Sequence, residues 1–131
     1  MRNFEVLVDA IEYIESKITE ELPQANIAGH CHVSLSSLQK LFRFAFRVTI
    51  KEYVTKRKLT HAARDIARGG RTVTDIAYQY HYNSPEVFSR AFARLWGVPP
   101  SCFKKSWRFT EIFPWLELDL DADGDCPMRK T

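Results

Sequence analysis

Apolar residues return at intervals of three and four near the start of the chain: Phe4, Leu7, Ile11, Ile14 and Ile18, with Asp9, Glu12, Glu15 and Glu20 between them. That spacing keeps one helical stripe apolar and predicts an amphipathic first helix. Leu22-Pro23 should stop it, because the proline ring cannot extend the backbone ladder. A short helix is expected over residues 25–31, then a turn at His32-Val33. Ser34 is a good N-cap for a helix reaching about Phe46, with Leu38, Leu41, Phe42 and Ala45 on one face. Thr49 and Glu52 have the spacing of a capping box and open a long helix bearing Ile50, Tyr53, Val54, Leu59, Ala62, Ala63 and Ile66, ended by Gly69-Gly70. Thr72 and Asp75 repeat the cap signal ahead of Ile76, Ala77 and Tyr80, and His81-Tyr82-Asn83 is another turn. Ser84-Pro85 joins an N-cap to proline at the first helical position, starting a helix through Phe88, Phe92 and Leu95 to Gly97. Ser101 is expected to cap a last short helix after Pro99-Pro100. No segment alternates as a half-buried strand does, so the expected fold is all-α.

The pattern repeats at an offset of 50 residues. Ser34 maps to Ser84, Leu38 to Phe88, Lys40 to Arg90, Phe42 to Phe92, Val48 to Val98 and Tyr53 to Phe103. Asn26-Ile27-Ala28 matches Asp75-Ile76-Ala77 once the second turn is granted one extra residue. Each copy is a short helix, a tight turn and a capped second helix, which is a helix-turn-helix. The expected architecture is two such subdomains joined by a long linker helix. Residues 1–48 hold the N-terminal helix and first unit, 49–70 the linker helix, 71–106 the second unit, and 107–131 an apolar then acidic C-terminal extension.

Length and composition narrow the class. The chain has 131 residues, 45% apolar and 27% charged, enough for one ordinary domain or two small modules with a packed core. No apolar run approaches the roughly 20 residues of a membrane helix, and the N-terminus lacks a secretory apolar region. Cys31, Cys102 and Cys126 are an odd number at unrelated spacings, so reduced thiols and a cytoplasmic location are expected, with no membrane contact. The net charge of +3 conceals a strong segregation. Residues 1–39 carry 2 basic and 6 acidic side chains (−4), residues 40–108 carry 15 and 4 (+11), and residues 109–131 carry 2 and 6 (−4). A basic middle of that density suits a partner that presents phosphates.

The second helix of a helix-turn-helix enters the major groove, so its outward side chains should suit base edges and phosphates. At ~100° per residue, the face opposite Leu38 and Phe42 carries Ser36, Lys40, Arg43 and Arg47, with Gln39 on the flank. The face opposite Phe88 and Phe92 carries Glu86, Arg90 and Ala93, flanked by Ser89 and Arg94. Arginine pairs bidentately with guanine, glutamine with adenine, and glutamate accepts from cytosine N4. The linker helix, about 28 Å long at ~1.5 Å per residue, is comparable to the roughly 34 Å between successive major-groove segments. One chain, monomeric on double-stranded DNA, is therefore expected to insert both helices into adjacent turns of a single duplex.

Residues 24–105 resemble the DNA-binding domain of the AraC/XylS family of bacterial transcription regulators. The resemblance rests on Asp75-Ile76-Ala77, on Asn83-Ser84-Pro85-Glu86-Val87-Phe88-Ser89-Arg90-Ala91-Phe92 and on Trp96-Gly97-Val98-Pro99-Pro100. Leu38-Gln39-Lys40-Leu41-Phe42-Arg43, Tyr53, Lys58-Leu59 and Ala62 match the first unit and linker. In layout the chain is most similar to the small MarA, SoxS and Rob-like members. The resemblance implies a sequence-specific, nucleoid-associated transcription regulator, an activator that recruits RNA polymerase, with no cofactor. Carried over by motif position, the base-reading residues are Ser36, Gln39, Lys40, Glu86, Ser89 and Arg90. Arg43, Arg47, Arg71, Arg94, Lys104 and Lys105 would meet phosphates or flank them. The sequence departs from the family where His32 and His81 replace the glycines of the two turns and where Arg47 replaces the glycine kept at Gly97. Those three departures favour an alternative: a protein-interaction adaptor or anti-regulator on the same fold, with weak or lost DNA binding.

Other motifs point elsewhere less well. His30-Cys31-His32 suggests metal, but zinc needs about four converging ligands and His61, His81 and Cys102 are scattered. Asp119-Leu120-Asp121-Ala122-Asp123-Gly124 imitates half of a calcium loop, yet its ninth and twelfth positions are Pro127 and Lys130, so a solvated acidic tail is expected. Ahead of it, Trp107, Phe109, Ile112, Phe113, Trp115, Leu116 and Leu118 are too apolar for a plain tail; this segment is expected to pack on the domain or to begin an effector-binding domain. No nucleophile–base constellation or Gly-rich phosphate loop is present, so an enzyme is not expected.

Overall fold

The computed structural model describes residues 2–106, with side chains for residues 2–103. Among these residues the chain is all-helical: α1 (Arg2–Ser16), α2 (Gln24–His30), α3 (Leu35–Phe46), α4 (Ile50–Arg68), α5 (Val73–Gln79), α6 (Pro85–Trp96) and α7 (Pro100–Ser106). They form two compact units that divide between Arg57 and Lys58, inside α4.

In the first unit α1 packs on α2 and α3. Its buried stripe is Val6, Ala10 and Ile14, a strict return of four residues with small Ala10 at its centre, and Ile18 in the following turn continues it. The expected stripe is therefore corrected. Phe4 is 66% exposed and Leu7 and Ile11 are only half-buried, because the ridge that lets neighbouring helices approach, rather than the largest side chains, sets the buried face. The helix also stops well before Pro23. Ser16 Oγ donates to Tyr13 O at 2.8 Å, and i→i+3 bonds (Lys17 N to Ile14 O, 3.2 Å; Glu20 N to Lys17 O, 2.9 Å) tighten its end into a turn. The rest of the unit's core is Ile27, Ala28, Cys31, Leu38, Phe42, Ile50 and Tyr53. Leu41 is half-buried and Ala45 exposed, so α3 buries a narrower face than expected. Arg57, only 3% exposed, reaches Glu15 through two bonds, Nε to Oε2 at 2.7 Å and Nη2 to Oε1 at 3.2 Å.

The second unit is built around rings. Phe92 has its centroid 5.7 Å from Phe88, 5.2 Å from Phe103 and 6.3 Å from Trp96. Such offset and edge-on arrangements add to what burial alone contributes. Leu59, Ala62, Ala63, Ile66, Ile76, Ala77 and Tyr80 complete the core. Trp96 Nε1 donates to Leu59 O at 3.2 Å, and the Tyr80 hydroxyl donates to Asp65 Oδ2 at 2.6 Å.

The helix starts follow local chemistry. The Thr49–Glu52 capping box closes in both directions, at 2.9 and 3.0 Å, while Ser34, Thr72 and Ser84 each accept from a backbone N–H three residues on, at 3.0–3.2 Å. Ser101 is not the cap of α7. Pro99 O accepts from the N–H of Cys102 and Phe103, and the helix begins on Pro100, where a missing N–H costs nothing. That extends the repeat: Pro100 and Phe103 of α7 are buried as Ile50 and Tyr53 of α4 are.

Candidate nucleic-acid interface

The two turns share one geometry. His32 and His81 both hold left-handed backbone, φ 58° and 66°. In the first turn His32 N bonds Gly29 O at 3.2 Å and Val33 N bonds Ala28 O at 3.2 Å. In the second, His81 N bonds Tyr78 O at 3.0 Å and Tyr82 N bonds Ala77 O at 3.0 Å. This is the paired 6→1 and 5→2 pattern that closes a helix before a sharp turn, normally on glycine. Here two histidines accept the strain of positive φ. Arg47, φ 63°, does the same after α3, bonding Arg43 O at 2.9 Å, as Gly97, φ 84°, bonds Ala93 O at 2.8 Å after α6.

Burying Leu38 and Phe42 turns the opposite face of α3 outward. Ser36, Gln39, Lys40, Arg43 and Arg47 are all exposed, and Gln39 Nε2 donates to Gln24 Oε1 of α2 at 3.0 Å. Burying Phe88 and Phe92 does the same for Glu86, Arg90 and Arg94 of α6, while Ser89 is half-buried. Arg71, ahead of α5, is exposed and lies 4.0 Å from Asp65 Oδ2, the oxygen that also accepts from Tyr80. Burial and the Asp65 acceptor push the Tyr80 hydroxyl well above its ordinary range, and burial also raises that of Tyr82. Lys104 and Lys105 belong to α7, but their side chains lie outside those described, as do the calcium-like motif and the apolar segment after residue 106. Ser36, Gln39, Lys40 and Arg43 thus share the exposed side of α3, and Glu86, Arg90 and Arg94 that of α6.

The His30-Cys31-His32 run separates by environment. The His30 ring is exposed and stacks on Tyr13 at 4.5 Å, and His32 is spent on the turn. Cys31 is buried and directs its thiol to Val6 O at 3.7 Å, and burial, helped by the Asp9 carboxylate, holds the thiol above its ordinary pKa. Among the described residues no three His, Cys, Asp or Glu side chains group as metal ligands, and no helix is long and apolar enough to cross a membrane.

Sequence reasoning missed two features. The Arg57–Glu15 pair carried no local signal, since 42 residues separate the partners. Phe44 is 86% exposed on α3. Its position roughly 200° round from the Leu38–Phe42 direction, at ~100° per residue, could have revealed it.

Residues 27–106 match the family model described as helix-turn-helix domain. YkgA of Escherichia coli strain K12, named as an HTH-type transcriptional regulator, is 31% identical over 123 residues, which is 92% of this chain and 52% of that protein. The HTH-type transcriptional activator AarP of Providencia stuartii is 28% identical over 101 residues, 77% of this chain and 75% of its own length. The chain therefore spans about half of the first relative and three quarters of the second. Among solved structures, an AraC-type DNA-binding domain-containing regulator from Chromobacterium violaceum superposes with a TM-score of 0.75 at 21% identity, covering 77% of this chain and 90% of that one.

Proposed function

Starting from the fact that this chain belongs to the AraC-type helix-turn-helix family, we propose that it is a sequence-specific DNA-binding transcription regulator rather than an enzyme. In this reading α3 and α6 enter adjacent major-groove segments of one duplex, and the chain acts as a monomer. Ser36, Gln39 and Lys40, with Glu86, Ser89 and Arg90, meet base edges; Arg43, Arg47, Arg71, Arg94, Lys104 and Lys105 meet or flank phosphates. The regulator works in the cytoplasm on the nucleoid and activates by engaging RNA polymerase.

One observation carries this reading: twice, a serine-capped helix buries two apolar residues and turns exposed cations outward. The length of α4, 19 residues or about 28 Å, suits a spacer between two readers. Against the adaptor alternative, His32, His81 and Arg47 all adopt the left-handed backbone that glycine would have supplied, which supports intact turns in both units.

The test is selection from a random duplex pool, followed by anisotropy titration of the enriched site. Arg90→Ala is expected to weaken the selected site by about 1–3 kcal/mol and to relax preference at one base pair. Affinity falls steeply with salt as counterions are released. Equal losses on selected and random duplexes would remove Arg90 from the base-reading set, and failure to enrich any sequence would favour the adaptor.

A further inference from the structure

Phe44 is the most exposed large apolar side chain among the described residues. It stands on α3, whose 12 residues include Lys40 and Arg43 and no acid. Lys40 and Phe44 are i,i+4 neighbours and so share a side of the helix. Both line an open groove of about 330 Å³ with Ser37, Leu41, Arg2 and Val6. The repeat places Phe44 opposite Arg94 of α6, so a ring stands where the other unit has a cation.

The surroundings decide which occupant suits the ring. The core of a protein–protein patch is depleted of charge, whereas the groove that Phe44 lines also holds Arg2 and Lys40, and the exposed Arg43 and Arg47 stand one and three residues from Phe44 in the chain. Those cations favour a polyanion. The major-groove edge of duplex DNA presents one apolar group, the 5-methyl of thymine, and phenylalanine is among the side chains that contact it. We infer that Phe44 reads a thymine methyl group in the segment of DNA met by α3, adding a specificity residue to the set above; this rests on the DNA-binding reading. Four helical residues advance about 6 Å and base pairs are about 3.4 Å apart. For a helix lying along the groove, the thymine stands about two base pairs from the pair met by Lys40.

The experiment replaces each thymine of the selected site by deoxyuridine, which lacks only the methyl, and measures anisotropy with the full chain and with Phe44→Ala. An exposed ring can be truncated without loss of packing, and circular dichroism checks the fold. One substitution in the half-site of the first unit should weaken the full chain about fourfold, the worth of one buried methyl-sized group, and leave Phe44→Ala unaffected. Absence of any such position, or a penalty that persists in Phe44→Ala, overturns the assignment while leaving DNA binding intact. If Phe44→Ala binds every duplex as the full chain does, the ring faces a protein instead and the inference fails. A full chain that enriches no sequence overturns the DNA reading itself, a different result from an enriched site indifferent to uracil.

Discussion

After α3 the chain turns left-handed on Arg47, while at the matching point after α6 it turns on Gly97. The contrast runs through both units. Among the described residues the first carries two side chains on positive φ, His32 and Arg47, where the second carries one, His81. The first rests on aliphatic residues with a small aromatic group, Phe42, Phe46 and Tyr53, and is tied by a charged pair between Arg57 and Glu15. The second rests on the Phe88, Phe92, Trp96 and Phe103 rings and is tied by a neutral donor, Tyr80, on Asp65. Unlike chemistry gives the same backbone because caps, turn geometry and two buried helix positions dictate it. The remaining positions are free to differ, and they are the ones turned outward.

The largest expected effect comes from truncating the matched rings. Phe92→Ala should cost near the upper end of about 3–5 kcal/mol and Phe42→Ala nearer the lower end, because Phe92 meets three rings and Phe42 two. Urea denaturation of both variants measures this, and equal losses would erase the distinction between the cores.

Next come the two ties. Glu15→Ala leaves Arg57 buried without its bidentate acceptor and should cost about 2–3 kcal/mol, against about 1 kcal/mol for Tyr80→Phe. The second tie also has a pH signature. The folded pKa of Tyr80 lies above the ordinary phenol value of 10.0 that the unfolded chain shows. The folded state therefore holds this proton more tightly, so the stabilisation is complete below about pH 10 and is lost as pH rises beyond it. Denaturant midpoints measured from pH 8 to 11 should fall less steeply in Tyr80→Phe. A slope identical to that of the parent would assign the alkaline loss elsewhere, Tyr82 being the first suspect.

The smallest effect tests the left-handed positions directly. Arg47→Gly should stabilise the chain by up to about 1 kcal/mol and Gly97→Ala should destabilise it by about as much. A Cβ at Gly97 meets nothing within 4 Å, so any loss there reports backbone strain rather than a clash. Thermal melts with opposite signs would support the contrast; destabilisation by both would mean that the Arg47 side chain holds the first unit together.

Helix type, number and most boundaries were legible because they follow from local chemistry: Ser34, Thr49, Thr72 and Ser84 cap, Gly69 and Gly97 end, and Leu38, Phe42, Phe88 and Phe92 recur at helical spacing. The exposed residues of α3 and α6 were legible for the same reason, since fixing a buried face fixes its opposite. The first helix misled. Phe4 and Ala10 are equally compatible with an apolar stripe, and hydrophobicity favours the residue that the structure leaves outside.

By itself the sequence determined the all-helical order, the doubled helix-turn-helix and the basic outward faces, all matters of neighbours three or four residues apart. Only the tertiary structure decided which ridge of α1 is buried and that Arg57 lies inside with Glu15. Those outcomes depend on which helix covers which surface, and covering is settled by packing between segments distant in the chain, where no local pattern carries the information.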